Sequence, residues 1–373
     1  MFAEYFIQSL FTLLLLSLIL QLYFTLFVHV KLARYPEKKS SKKSKHPISV
    51  IIYSRNQAQS LIDNLPAFME QDYLYFEVIV INDSSWDHTE DVLREFSSRY
   101  YRLKVVTVPE HDRFRKNKKF AITMGIKAAQ NEHLIFSDAG CIPSSKKWIN
   151  EIQSSFNADT ELILGHTVYQ RAAGMLNRFI RFENFINALN YLSFALKGKA
   201  YRGTGRNMAY LKSIFFRGKG FAAHMHLPFG DDDLFVNQHA GRDNVNVVIR
   251  PSAQVLSNTD TGIKPYLKEK VSQMQTVSHL NPAKRWNLNA QMASGILFYS
   301  SMIVLFIMQF DWRILLAIYS VRLIAQFVVY YKIFKRLSYP DLKWWLPILD
   351  FIYYIYVLAL SIATLFKIRT KWK

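Results

Sequence analysis

The stretch YFEVIVIND, residues 75–83, is a β-branched apolar run that ends on two polar residues, Asn82 and Asp83. A half-exposed strand alternates apolar with polar side chains. A near-continuous apolar run instead fits a strand covered on both faces of a parallel sheet. Three runs of the same kind stand around it: PISVIIYS (47–54), LKVVTVP (103–109) and EHLIFSDAG (132–140). Helical patterns lie between them. In NKKFAITMGIKAAQN (117–131), Ala121, Met124 and Ala128 fall on one face at helical spacing. Strands alternating with helices predict an α/β fold with a doubly wound, mostly parallel sheet.

Such sheets bind ligands beyond the C-terminal ends of their strands, where the strand order reverses. Ser54, Arg55 and Asn56 follow the first strand, Asn82, Asp83 and Ser84 the second, and Asp138 the fourth. Any one of them reads equally well as a strand end or a helix cap. Polar groups at three equivalent strand ends point instead to a site. In IFSDAGCIPSS (135–145), the position two after Asp138 is Gly140, where a metal site would want a second acid. FGDDDL (229–234) sets three acids side by side, which tends to raise the pKa of one or more of them. Taken alone, it also reads as a solvated turn capping DLFVNQHA (233–240). GTGRNMAY (203–210) carries two glycines around Thr204, for close backbone approach or for a plain turn. His224 and His226 read as part of a polar loop, and Lys118 alone as a surface charge.

The 373 residues carry a formal net charge of +19 and one cysteine, Cys141. That excludes an intrachain disulfide and a cysteine-based zinc site. Cys141 ends an apolar strand and reads as a small buried residue rather than a nucleophile. A basic excess attracts nucleic acid, anionic lipid or anionic substrates. No base-reading motif is present and the charge gathers beside apolar spans, so no nucleic-acid partner is expected and membrane lipids are. Residues 6–30 hold no acid, Lys or Arg. At about 1.5 Å per residue they are long enough for a hydrocarbon core of roughly 30 Å, and are expected to be a retained anchor. The basic flank KLARYPEKKSSKKSKH (31–46) places the following domain in the cytoplasm by the positive-inside rule. Two further spans are expected near 291–310 and 314–331, joined by FDWR (310–313). A third C-terminal span is expected over 345–366, although that run holds Pro347 and Asp350. The segment MLNRFIRFENFINALNYLSFALKG (175–198) is apolar on more than one face and reads as core or as a membrane-surface helix.

ISVIIYSRN (48–56), VIVINDSSWDHTEDVL (78–93), NKKFAITMGIKAAQNEHLIFSDAGCIPS (117–144), GTGRNMAY (203–210) and FGDDDLFVN (229–237) follow one another in order. Together they resemble the successive motifs of the membrane-bound glycosyltransferase family 2, whose domain has the GT-A fold. The resemblance covers roughly residues 45–280. It implies a 47–255 GT-A domain, which the apolar and charge pattern sets between a 1–30 anchor with a 31–46 basic linker and a 256–290 membrane-interface segment with 291–373 C-terminal transmembrane helices. It further implies that Ser54, Arg55, Asn56, Asp83, Lys118, Asp138, Arg206 and Asn207 bind a nucleotide sugar. Asp231, three residues before Leu234, is the implied catalytic base, with Asp232 in reserve. The chemistry agrees. A leaving diphosphate needs charge stabilisation, usually from Mg²⁺ or Mn²⁺ on oxygen ligands, for which Asp138 is the candidate. An inverting displacement needs one carboxylate base on the acceptor hydroxyl.

Two positions depart from the family pattern. The DxD motif becomes DAG, with Gly140 in place of the second acid. The nearest match to a QxxRW-like segment is QTVSHL (275–280), where Ser278 stands for an Arg. Gln275 and His279 remain as candidates for the donor-diphosphate or acceptor region, but Ser supplies no planar positive fork. The expected function is a multi-pass enzyme of the inner membrane with a cytoplasmic catalytic domain. It moves a sugar from a nucleotide-sugar donor to a lipid-linked or growing glycan acceptor. The alternative is a catalytically reduced relative that binds a nucleotide sugar or a partner enzyme. Nothing in the sequence sets an oligomeric state.

Overall fold

A computed structural model describes residues 2–36, 46–110, 118–227, 229–258 and 263–365. Most of the expected basic linker and the basic tail KIRTKWK (367–373) lie outside the described residues. The chain divides into two compact units. One comprises Pro36–Ala172 and Gly198–Asp260, and the other Met1–Tyr35, Ala173–Lys197 and Thr261–Lys373.

The first unit carries the strands. Numbered along the chain, they begin with β1 (Ile48–Ser54), β2 (Phe76–Asp83), β3 (Leu103–Val108), β4 (His133–Asp138) and β5 (Cys141–Pro143). There follow β6 (Leu162–Leu164), β7 (Thr167–Tyr169), β8 (Met208–Leu211), β9 (Val245–Val247) and β10 (Val255–Ser257). The main sheet runs in the order β3-β2-β1-β4-β8-β6-β9, and a small one in the order β5-β10-β7. β3, β2, β1 and β4 are all parallel, while β8 runs antiparallel to both β4 and β6. The sheet is therefore parallel-dominated and mixed, as the alternation of strands and helices predicts. Five of the seven positions in β1 form an unbroken buried run, as expected for a strand covered on both faces. The order steps outward from β1 to β3, then crosses back to β4 on the other side of β1. That reversal opens a crevice at the C-terminal ends of β1 and β4. The register sets Tyr53 directly opposite Asp138 there, and Ser54 opposite Asn82.

The helix Lys118–Ala128 buries a face different from the expected one. Ala121, Ile122, Gly125 and Ile126 are buried, whereas Met124 and Ala128 are only half-buried. Gly125 explains the difference. A Cβ there would lie 2.5 Å from Ile81 Cδ1 and 3.2 Å from Ile51 Cγ2, so the missing side chain lets this face lie directly on β1 and β2. Gly165 permits a second close approach. A Cβ there would stand 2.6 Å from the Asn207 carbonyl oxygen, which already accepts a hydrogen bond from Gly165 N at 3.0 Å. Backbone cannot swing aside as a side-chain tip can. Gly165→Ala is expected to destabilise the chain by about 1–3 kcal/mol, read as a lowered midpoint of thermal unfolding in detergent. Cys141 is buried and free, and burial pushes its thiol up to about 11, so it is no nucleophile near neutral pH.

The second unit is helical. Among the described residues, four stretches are long and apolar enough to cross a membrane: Glu4–Arg34, Pro282–Ile307, Trp312–Arg336 and Pro340–Ala363. Leu16, Ile19, Phe306, Ile324, Val328 and Ile355 on these helices are each more than half exposed, an outward apolar face that suits lipid rather than water. The second stretch starts at Pro282, before the expected 291, with Asn281 as its cap accepting from Ala283 N at 3.1 Å. Asp311 likewise caps the third, accepting from Arg313 N at 2.9 Å. The last stretch accommodates both residues that counted against it. Pro347 falls in the first turn of the helix Leu346–Leu365, where a missing N–H leaves no bond unmade. Asp350 pairs with Arg322 at 2.8 Å. The helix Met175–Ala195 is core to this unit: Phe185 stacks on Phe334 at 4.0 Å, and Arg181 forks onto Asp341 through two 2.7 Å bonds.

Candidate active site

The crevice at the β1 and β4 ends holds a compact set of charged groups. Asp83 closes β2 and accepts a 2.7 Å hydrogen bond from the Tyr53 hydroxyl, with Arg55 Nη1 at 3.6 Å. Asn56 adopts φ +51° and ties the two turns together. Its backbone N–H donates to Ser85 Oγ, and its Oδ1 accepts from Trp86 N, each at 2.9 Å. Among the described residues, Ser54 Oγ and Asn82 Oδ1 are buried with no hydrogen-bond partner.

Lys118, at the start of its helix, is the hub. Its Nζ lies 3.1 Å and 3.5 Å from the two carboxylate oxygens of Asp138 and 3.6 Å from Asp231 Oδ2. It also sits over the Tyr53 ring, 4.9 Å from the centroid. Burial works against its charge, yet Asp138 and Asp231 hold its pKa above the ordinary lysine value. Arg206 Nε approaches Asp138 Oδ2 at 3.4 Å while its Nη1 donates to the Tyr169 hydroxyl at 2.7 Å. Burial raises the Asp231 carboxyl. Lys118 opposes the rise, and Asp232 and Asp138 add to it. Of the acid cluster, then, Asp231 faces the crevice. Asp232 is turned to structure: it accepts from Asp233 N at 2.7 Å as a helix cap and from Gly205 N at 3.0 Å. Asp233 pairs with Arg202 at 3.0 Å.

The structure thus gathers Arg55, Asp83, Lys118, Asp138, Arg206 and Asp231 around one crevice. Asn207 is not among them. It is fully buried, and its amide is engaged by Trp148 Nε1, the His166 carbonyl and the Ala253 carbonyl. Its place is the core beneath the GTGR turn. His279 is exposed in the turn after the helix Ile263–Val277, in the helical unit. Gln275 lies on that helix, and its side chain falls outside the described residues. His224 is buried, and burial lowers its pKa to about 4, so it is a neutral core histidine. Two contributors escaped the sequence reading. Tyr53 is the one aromatic residue of β1, a signal that was present. Tyr169 sits on a three-residue strand too short to carry any periodicity.

A parallel-dominated α/β sheet with an acid-and-cation crevice at its reversal point puts the first unit in the class of GT-A-like folds. Residues 49–217, a little under half of the chain, match Glycosyl transferase family 2. The chain is 27% identical over 37% of its length to Glycosyltransferase AglE of Haloferax volcanii, covering 45% of that protein. It is 28% identical over 40% of its length to Probable glycosyltransferase YdaM of Bacillus subtilis, covering 36% of that protein. The matches therefore span less than half the length of these two relatives. Among solved structures, the mannosyltransferase PcManGT of Pyrobaculum calidifontis, in complex with GDP-Man and Mn²⁺, aligns with TM-score 0.59 and 15% identity. The alignment covers 89% of this chain and 99% of that one, and the likeness is one of fold.

That neighbour's Mn²⁺ raises the question of a divalent cation here. The residues around Asp138 do not fit one. Hard cations want several oxygen ligands, often charged. Gly140 offers no side chain, and both Asp138 oxygens already face side-chain cations. Lys118 Nζ lies within ion-pair reach of both Asp138 and Asp231. Among the described residues, no group of three His, Cys, Asp or Glu side chains is placed to hold a metal ion.

Proposed function

We propose that this chain is a membrane-bound glycosyltransferase that moves a sugar from a nucleotide-sugar donor to a lipid-linked or growing glycan acceptor, with inversion. One observation carries the reading: the half-buried Asp231 carboxylate, raised in pKa, facing Asp138 across Lys118 at the reversal point of the sheet. The donor's nucleotide lies over the β1 and β2 ends, where Asp83, Arg55, Ser54 and Asn56 supply charge and hydrogen-bonding groups. Asp231 takes the proton of the acceptor hydroxyl as its oxygen attacks the anomeric carbon, and the bond to the diphosphate breaks on the opposite face. Asp232 holds the loop that presents Asp231. The basic flanks and the apolar stretches keep the site at the cytoplasmic face of the plasma membrane, beside a hydrophobic acceptor. The neighbour's Mn²⁺ is what supports a Mg²⁺ or Mn²⁺ requirement.

The test is transfer of label from a panel of nucleotide sugars into lipid-extractable or polymeric material, using the full chain in nanodiscs with membrane extract. Incorporation from at least one donor is expected. Gly140 motivates the second reading, a reduced relative that binds without transferring. Nucleotide binding with no incorporation from any donor would favour it.

The pH profile gives a sharper expectation. Asp231 serves as a base only when deprotonated, and burial, Asp232 and Asp138 outweigh Lys118 to raise its pKa. On acidification kcat/KM therefore begins to fall above the ordinary aspartate value of about 3.9. Asp232→Asn keeps a capping side chain and removes one negative neighbour, so it moves that acid limb to lower pH. An acid limb unmoved by Asp232→Asn would contradict this.

A further inference from the structure

The donor set around Asp138 disagrees with a metal, and the disagreement has a positive content. We propose that the Lys118 ammonium and the Arg206 guanidinium together do the work of a divalent cation at this site, so that the donor diphosphate is bound and released without a metal. The inference rests on the glycosyltransferase reading given above.

The charge count supports it. A metal site of this kind sets two positive charges between carboxylates and a diphosphate. Here two positive charges are already in place, fixed to the chain. Lys118 Nζ stands 3.1 Å from Asp138 Oδ1 and 3.6 Å from Asp231 Oδ2, and Arg206 Nε 3.4 Å from Asp138 Oδ2. Two carboxylates oppose them, which leaves the cluster neutral until an anion arrives. The acid that would have tipped the balance towards a metal is the one missing at position 140. Its loss is not a matter of space. A Cβ on Gly140 would have only the Gln57 amide nearby, at 3.7 Å and 3.9 Å, and the backbone there is not left-handed. A Cβ at that position is sterically admissible.

The geometry also aims the charges. Lys118 is anchored at its helix start and braced over the Tyr53 ring at 4.9 Å, and Arg206 is braced by the Tyr169 hydroxyl at 2.7 Å. Pre-positioned cations cost little reorganisation when charge develops on a leaving group. In the transfer itself, the acceptor oxygen bonds to the anomeric carbon and its proton passes to Asp231. The electron pair of the broken sugar–phosphate bond goes to the diphosphate, which Lys118 and Arg206 neutralise. No further reactant is needed.

The experiment is calorimetric binding of UDP, GDP, CDP, ADP and dTDP to the full chain in nanodiscs, in excess EDTA and in Mn²⁺, for wild type, Lys118→Met and Lys118→Arg. Binding of the preferred nucleotide is expected to change less than about twofold between EDTA and Mn²⁺. Lys118→Met is expected to weaken it at least about tenfold, and Lys118→Arg to keep most of it. Wild-type binding that falls about tenfold or more in EDTA, or Lys118→Met binding equal to wild type, would overturn the proposal and leave the donor site standing. No binding of any nucleotide under either condition would overturn both.

Discussion

Asp231→Asn is expected to lower kcat for sugar transfer by about a hundred- to ten-thousand-fold with little change in donor binding. The amide keeps the shape and loses the ability to take a proton. Because Asp231 is half-buried and faces Lys118 and Asp138 across the crevice, no neighbour among the described residues is placed to substitute. Asp232 is the adjacent acid, but its two oxygens are committed to Asp233 N and Gly205 N. Asp232→Asn should therefore act through the loop and the pH profile, with a far smaller loss of rate. The check is initial-rate kinetics of the two variants side by side with nucleotide affinity. Equal losses in both, or an Asp231→Asn enzyme within about tenfold of wild type, would remove Asp231 as the base.

The second large effect concerns the helical unit. The side chains of Arg322 and Asp350 are only 2% and 3% exposed and pair at 2.8 Å. Around them Tyr299 donates to Asp350 at 2.6 Å, Arg322 also reaches Gln21 at 3.1 Å, and Gln326 donates to Asp350 at 3.3 Å. One buried ion pair thus joins three of the apolar stretches and the N-terminal one. Removing one partner leaves the other charge buried and unmatched, a loss of about 3–5 kcal/mol. Arg322→Met should accordingly lower the thermal midpoint in detergent sharply. Arg322→Met with Asp350→Leu should recover most of the loss, because the double variant buries no charge. A double variant as unstable as the single one would mean that packing around Arg322, and not the ion pair, carries the stability.

The sequence carried the parallel half of the main sheet well. Its β-branched runs are long, uninterrupted and separated by helical patterns, so local periodicity and tertiary structure agree. Shorter strands such as β6, β7, β9 and β10 have three residues each and leave no period to read. Their pairing is set by long-range contacts, which is also why Tyr169 escaped notice beside Arg206. On the helix Lys118–Ala128 the larger Met124 looked like the packing residue, but close approach to β1 and β2 is made by the residue with no side chain, Gly125. Strand-end positions were legible because the fold class fixes where a ligand must sit. Asp83, Arg55 and Asp138 could be named on that ground. What spacing could not convey was direction. Asn207 follows Arg206 in the chain but points into the core, and Asp232 follows Asp231 but caps a helix. Lys118, unremarkable as one lysine among many, becomes the hub only because its helix starts beside the ends of β1 and β4. Pro347 and Asp350 weakened the last apolar run on composition alone, and both are accommodated by position and by a partner elsewhere in the chain.

The most direct test of the central claim, a single displacement driven by Asp231 at this crevice, is the anomeric configuration of the product. Proton NMR of the first product formed by the full chain in nanodiscs, from whichever nucleotide sugar supports transfer, reads it without assumption about the acceptor. The account predicts a linkage of configuration opposite to that of the donor. A retained configuration, or no product from any donor that binds, would contradict it.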